Sequence, residues 1–486
     1  MNRPTDDSQI AAGRRDLVLG IDLGTSYFKL GLFDRQGELR GMGRIFVAKD
    51  RGDGSRCEVP VDRFWALLCR GMSEACRQAS ASPEQICGLS YASQANSFLL
   101  LDRDMAPLTP LILWADDRAA ETDSLATLFK RSDFLPNTGI GIPPSHQFCL
   151  AKVDWLKRHQ PALFARAVYL MTISDYLSWA LTGELVGDAG TASLLGLLDQ
   201  RTLTWRREMI DLGDLSLSMP LQPGTPAGKL SRNGAALLGL KPGVPFAVGN
   251  LDHPAAALGA GAGQIADLSE STGTVLACVR FVADYSPRPG SCTGAGFEPG
   301  EHYQLAFDDN GAAGVEWYQQ NHATELTIPQ LEKLAAKVPA GSEGLLARPA
   351  AHRWPDLTGF LPTDKRHQHG HFTRALFEST AASLAILVAS VCGGQRPKHI
   401  VATGGGAQSD LWLQIKADLL GIEWITTETI DPACLGAAIL AAVAAGWVAD
   451  CQTAASKWIR VRKTYQPNMA QHRLYEEWIR TRDMEK

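Results

Sequence analysis

Asp22-Leu23-Gly24-Thr25-Ser26, with Lys29 three residues on, carries the side chains that phosphate chemistry needs. A carboxylate at a strand end can hold Mg2+ through water. Gly24 lets backbone N–H groups approach a phosphate, Thr25 and Ser26 supply hydroxyls, and Lys29 supplies positive charge. The same residues would also make an ordinary hairpin turn. A second Gly-Thr pair, Gly273-Thr274 in STGT (271–274), recurs about half a chain later. Gly404-Gly405-Gly406 lies between a strand-like run (399–403) and a helical one (410–420), where α/β proteins bring backbone close to a nucleotide. Asp252 ends a Gly-flanked strand-like run and leads an Ala/Gly helix. There a carboxylate can face a cleft, or simply cap the helix that starts at Pro254. His367, His369 and His371 crowd together, but no neighbouring carboxylate or cysteine completes a metal site. No GxxxxGK[ST] occurs, which excludes a P-loop.

The elements that must position these residues alternate. Apolar runs at 16–21 and 28–33 flank the first turn and predict two strands. Helical patterns follow at 61–77 and 150–158, with strand-like GLSYAS (88–93) and SFLLLD (97–102) between them. The second half repeats the theme: a Gly-Thr turn feeding a strand (271–281), a helix at 372–391, short strands at 399–403 and 425–428, and an Ala-rich helix. Strands alternating with helices argue an α/β fold. Two halves that each open with a Gly-Thr turn suggest duplicated domains facing one cleft, with the boundary near Gly249.

The chain has 486 residues, 45% hydrophobic and 20% charged, which predicts two large domains and rules out a mostly disordered chain. A net charge of −5 gives no electrostatic case for nucleic acid or an anionic membrane as partner. Residues 432–449 are uncharged at near membrane-span length, but their small side chains predict a helix packed against protein. Ten scattered cysteines without a CxxC predict reduced, buried thiols and a cytoplasmic protein. MNRPTDDSQIAAGRR (1–15) has no apolar h-region and reads as a flexible arm.

Taken in order, GIDLGTS (20–26), GLSYASQANSFLLLDRDMAPLTPLILWADDRA (88–119), ISDYLSWALTGE (173–184), VGNLDHPAAALGAG (248–261), STGT and ATGGGAQSDLWLQIKADLLG (402–421) resemble the FGGY carbohydrate kinases of the sugar kinase/heat-shock/actin ATPase superfamily. The resemblance runs from about residue 18 to 447. It implies two actin-like (ribonuclease H-like) α/β domains, 16–248 and 249–486, with a nucleotide/substrate cleft between them. It implies an ATP- and Mg2+-dependent kinase of a small sugar or polyol, xylulose kinase-like, with Asp252 as general base and Asp22 as the metal-linked carboxylate. Gly24, Thr25, Ser26, Lys29, Gly273 and Thr274 would surround the phosphates. Gly404, Gly405, Gly406 and Ser409 would approach the adenosine, with Gly311 and Trp317 near its base. Ser409 could instead cap a helix, and Trp317 could be plain core.

For the sugar, the resemblance points to Gln94, Asn96, Asp116, Arg118 and His253. Asn96 stands where xylulose kinases carry a histidine, so it keeps donor and acceptor but loses the imidazole. The Arg and Glu that glycerol kinases carry in this stretch are missing. Asp116 and Arg118 could instead pair with each other, and His253 could tune Asp252 rather than touch sugar. A tetritol, hexulose or sugar acid as acceptor, or a catalytically silent sensor, are the rival readings; a homodimer is the oligomer the resemblance allows.

Overall fold

The computed structural model describes residues 16–483 apart from 53 and 122. The expected arm at 1–15 therefore lies outside the described residues. The chain forms two compact units, neither continuous in sequence. The first contains the residues up to Gly259, with Val282–Tyr303 and Thr429–Trp458; the second contains Ala260–Phe281, Gln304–Glu428 and the residues from Ile459 on. Asp252, which the sequence division at 248/249 assigns to the second half, thus lies in the first unit. The reason is pairing: the strand Asn250–Leu251 runs parallel to Ile86–Ser93, and the helix Asp252–Ala260 continues from it.

The main sheet of the first unit is built on the hairpin Leu17–Leu23/Tyr27–Phe33, extended by the antiparallel strand Leu39–Phe46. On its other side Leu17–Leu23 pairs in parallel with Ile86–Ser93. Leu17–Leu23 is buried along its whole length, as a strand covered on both faces must be. The Ala-rich stretch forms the helix Pro432–Ala444, which packs on this sheet. A Cβ on Gly20 would sit 2.0 Å from the Cys434 carbonyl oxygen, and one on Gly88 2.6 Å from that of Ala441. Its small residues thus serve close packing against strands, as predicted, and its 13 residues are fewer than a membrane span requires.

The second unit repeats the plan. Leu268–Thr272 pairs antiparallel with Leu276–Val282 and parallel with His399–Thr403, which pairs in turn with Glu423–Thr427. Its longest helix, His369–Cys392, is the one described helix long and apolar enough to cross a membrane. Its Phe372, Phe377 and Leu384 instead belong to this unit's apolar core. An ion pair between Arg374 and Glu378, 2.9 Å apart, is buried in the same helix.

Candidate active site

In the first unit, three neighbouring parallel strands end in register. Leu23 and Leu251 both lie opposite Ser93, on either side of it. The residues immediately beyond those positions are Gly24, Gln94 and Asp252. Carboxyl ends of adjacent parallel strands are where open α/β sheets bind ligands.

Asp22 lies opposite Lys29 across the hairpin, and the two side chains meet at 2.8 Å. Lys29 also reaches Asp431 at 2.8 Å. Asp431 caps the helix Pro432–Ala444 by accepting the Cys434 N–H, so one carboxylate fixes both the helix start and the lysine. Burial pushes the Asp22 carboxyl up, to about 7; Lys29 opposes the shift, and Asp431 and Asp252 reinforce it. Burial alone would lower the Lys29 ammonium, but the two carboxylates outweigh it and hold it protonated. Asp22, Asp252 and Asp431 thus set three carboxylates against one ammonium in one electrostatic cluster. Such an excess of hard, anionic oxygen suits a divalent cation held partly through water and substrate phosphate. Among the described residues no group of three or more His, Cys, Asp and Glu side chains is arranged to hold a metal unaided.

The turn itself is braced by side chains. Gln94, buried, donates to the carbonyls of Leu23 (3.1 Å) and Gly24 (3.3 Å) and accepts from Ser97 at 2.9 Å. Thr25 donates to Gln94 at 3.4 Å and accepts the Trp114 indole N–H at 2.7 Å. The Trp114 carbonyl accepts from Lys152, a fully buried lysine whose ammonium burial pushes down to about 8. Ser26 stays exposed, and its carbonyl accepts from the Val47 N–H.

Asn96 takes a left-handed backbone, φ 59°, which asparagine tolerates better than most residues. Its Oδ1 accepts the Cys149 N–H at the start of the helix Cys149–His159. Asp116 and Arg118 realise the pairing alternative. Arg118 binds both Asp116 oxygens, at 2.7 and 2.9 Å, and also Glu58, while the Cys57 N–H donates to Asp116. Asp252 accepts the N–H of its neighbour His253 at 2.8 Å, a contact within its own turn rather than the bond two or three residues on that caps a helix.

In the second unit, Gly273 and Thr274 form the turn between Leu268–Thr272 and Leu276–Val282. Gly311 lies against this turn: a Cβ there would come 2.6 Å from the carbonyl oxygens of Gly273 and Thr274. Gly404 follows the parallel strand His399–Thr403 with φ +76°, and its Cβ would lie 2.8 Å from the Thr272 carbonyl oxygen. A Cβ on Gly405 would lie 3.9 Å from the same carbonyl oxygen, an ordinary contact. Ser409 caps the helix Asp410–Leu420 by accepting the Trp412 N–H. Trp317 is partly buried against the core and edges onto His322.

Asp431, Trp114 and Lys152 escaped the sequence reading. The Asp431-Pro432 pair signals a helix start, but nothing in the sequence says that this cap reaches a lysine about 400 residues away. Trp114 and Lys152 act through backbone and indole contacts that leave no local pattern.

The family model "FGGY family of carbohydrate kinases, N-terminal domain" matches residues 17–259, and its C-terminal counterpart matches 310–445. A xylulose kinase of Staphylococcus epidermidis is 26% identical over 482 residues, covering 96% of this chain and 95% of that protein. An autoinducer-2 kinase of Escherichia coli is 27% identical over 504 residues, covering 95% and 92%. Among solved structures, a ligand-bound xylulose kinase from Lactobacillus acidophilus superposes with a TM-score of 0.84 at 22% identity, covering 95% of this chain and 96% of that one. A gluconate kinase from the same organism gives 0.83 at 22% identity, covering 95% of each. Both confirm the two-domain, actin-like α/β fold. With the two family models matched in order over residues 17–259 and 310–445, the chain belongs to the FGGY family of carbohydrate kinases and is an ATP-dependent sugar kinase.

Proposed function

We propose that the protein transfers the γ-phosphoryl group of ATP to a hydroxyl of a small sugar or polyol, with Asp252 as general base. The observation that carries this reading is the alignment of Gly24, Gln94 and Asp252 at three adjacent strand ends, with Asp22 in electrostatic reach of Asp252. Phosphoryl transfer needs positioned donors, charge neutralisation and a group to accept the hydroxyl proton. Asp252 would accept that proton at a carboxylate oxygen. The hydroxyls of Thr25 and Ser26 and the N–H groups of both Gly-Thr turns would orient the phosphates. Lys29 enters as the counter-ion that holds Asp22 and Asp431 in place. Mg2+ would be held through Asp22, and it would supply neutralisation of phosphate charge. Gly404, Gly405, Gly406, Ser409 and Trp317 would take the adenosine, and Gly311 would support the second turn.

The functional division we read is a first unit carrying the base and the sugar-side residues and a second carrying the adenosine side. For the sugar, Asn96, with its Nδ2 unbonded among the described residues, and His253 are the side chains we assign to contact. Asp116, Arg118 and Gln94 shape the site through their mutual and backbone bonds. The cytoplasm, where ATP is available, is the compartment this chemistry suits.

The test is ADP release with Mg-ATP against pentuloses, tetritols, hexuloses, sugar acids, glycerol and autoinducer-2, with the Asp252→Asn variant alongside. One acceptor should stand far above the basal rate, and the variant should lose about 10²–10⁴-fold in kcat with nucleotide affinity intact. Near wild-type turnover by the variant would refute the base assignment. A flat panel from a protein that binds ATP would refute the acceptor class.

A further inference from the structure

Beneath the second Gly-Thr turn lies an ion pair that no part of the mechanism above uses. Lys416, on the helix Asp410–Leu420, meets Glu270, on the strand Leu268–Thr272, at 2.7 Å. Both side chains are 0% exposed. Lys416 also donates to the Thr272 hydroxyl at 2.6 Å, and that hydroxyl donates to Glu270. The indoles of Trp412 and Trp424 flank the ammonium at 5.1 and 5.5 Å, and the second Glu270 oxygen is buried without a hydrogen-bond partner. Burying a charge pair among tryptophans is a weak way to gain stability, since an apolar replacement is often as good or better.

What the pair does achieve is placement. Thr272 immediately precedes Gly273-Thr274, and the glycine turn closes on it from the other side. A Cβ on Gly404 would stand 2.8 Å from the Thr272 carbonyl oxygen, and one on Gly406 2.6 Å from the Thr272 Cβ. Thr403, at the end of the neighbouring strand, donates to the Glu270 carbonyl at 3.0 Å. Thr272 is therefore the junction of the Gly-Thr turn, the three-glycine turn and the buried pair. We infer that Glu270, Thr272 and Lys416 are positioning residues for nucleotide: their hydrogen-bonded triad fixes the spacing between the second Gly-Thr turn and the three-glycine turn. This rests on the reading of those two turns as the nucleotide side.

The experiment is ADP affinity by calorimetry together with KM values for ATP and sugar, on the full chain. Thr272→Val keeps the shape and removes the hydroxyl; Thr272→Ser restores it. ADP affinity and KM for ATP should worsen about tenfold in the valine variant, as expected for a lost hydrogen bond to charged groups. The serine variant should stay close to wild type, and KM for the sugar should not move in either. A folded Thr272→Val protein with wild-type ADP affinity overturns the inference, as does an equal loss for sugar. Gly404→Ala separates this from the underlying reading. If it too leaves ADP affinity untouched, the glycine turn is not the nucleotide side. If it weakens ADP while Thr272→Val does not, only the positioning triad fails.

Discussion

The two hairpin turns have the same topology and opposite construction. In each, a hairpin strand is flanked by a parallel strand whose end meets the turn: Ile86–Ser93 leading to Gln94, and His399–Thr403 leading to Gly404. In the first unit a glutamine side chain bonds to the turn's carbonyls. In the second, glycine backbone presses directly on Thr272. The charges differ in the same way. Asp22 stands two residues before Gly24 and pairs with Lys29, whose side chain is 23% exposed. Glu270 stands three residues before Gly273, and its pair with Lys416 is sealed in the core. Successive strand side chains point to opposite faces, so this one-residue offset separates a charge pair partly open to water from one sealed in the core. A shared backbone plan thus admits two different braces, a glutamine side chain at one turn and glycine backbone at the other.

The largest expected effect breaks this contrast at its charges. Lys416→Met should cost about 3–5 kcal/mol of stability, because Glu270 is left as an uncompensated buried charge. The double variant Glu270→Gln/Lys416→Met should recover most of it. Lys29→Met should lower the thermal midpoint less, since its partners keep some access to water, and should lower activity more. Thermal denaturation and ADP-release assays on the three variants check this; equal midpoint losses at both lysines would dissolve the distinction.

A next step sharpens it at buried carboxylates that pair with no cation among the described residues. Asp175 and Asp188 of the first unit lie together with Tyr91, and burial pushes Asp175 up to about 7, with hydrogen bonds from Thr172 opposing the shift. Because the folded pKa is raised, the native state binds the extra proton. Asp175's contribution is therefore full below about pH 4 and is lost as pH rises toward 7. The difference in stability between wild type and Asp175→Asn should change by about 4 kcal/mol across that window. A pH-independent difference in denaturant midpoints would show that Asp175 is ionised throughout.

The smallest effect tests the side-chain brace. Gln94→Ala removes the side-chain bonds to the Leu23 and Gly24 carbonyls and the Ser97 hydroxyl, while the residue-94 N–H still reaches the Leu23 carbonyl and the Trp114 N–H still reaches Ser97, at a cost of about 1–3 kcal/mol. A denaturation curve unchanged by this substitution would mean that the first turn holds its shape without the glutamine.

Much of this was legible in advance because it is local. The hairpin predicted around Gly24 is observed as Leu17–Leu23/Tyr27–Phe33, and the helix predicted at 61–77 as Val61–Ala79. Alternating apolar runs, turn residues and motif order fix such elements and carry the family resemblance with them. The roles within the site were less legible. Asp116 and Arg118 form a buried pair, and Asn96 holds a left-handed corner and accepts the first N–H of a helix. Ser409 is a helix cap whatever else it touches.

By itself the sequence determined the α/β alternation, the two Gly-Thr turns, the three-glycine turn and membership of a kinase family, because each is written in residues close together in the chain. Only the tertiary structure decided that Asp252 belongs to the first unit, that Asp431 answers Lys29, and that Lys416 lies under the second turn. Those are contacts between residues up to some 400 positions apart, and electrostatics and close packing act through space without regard to sequence separation.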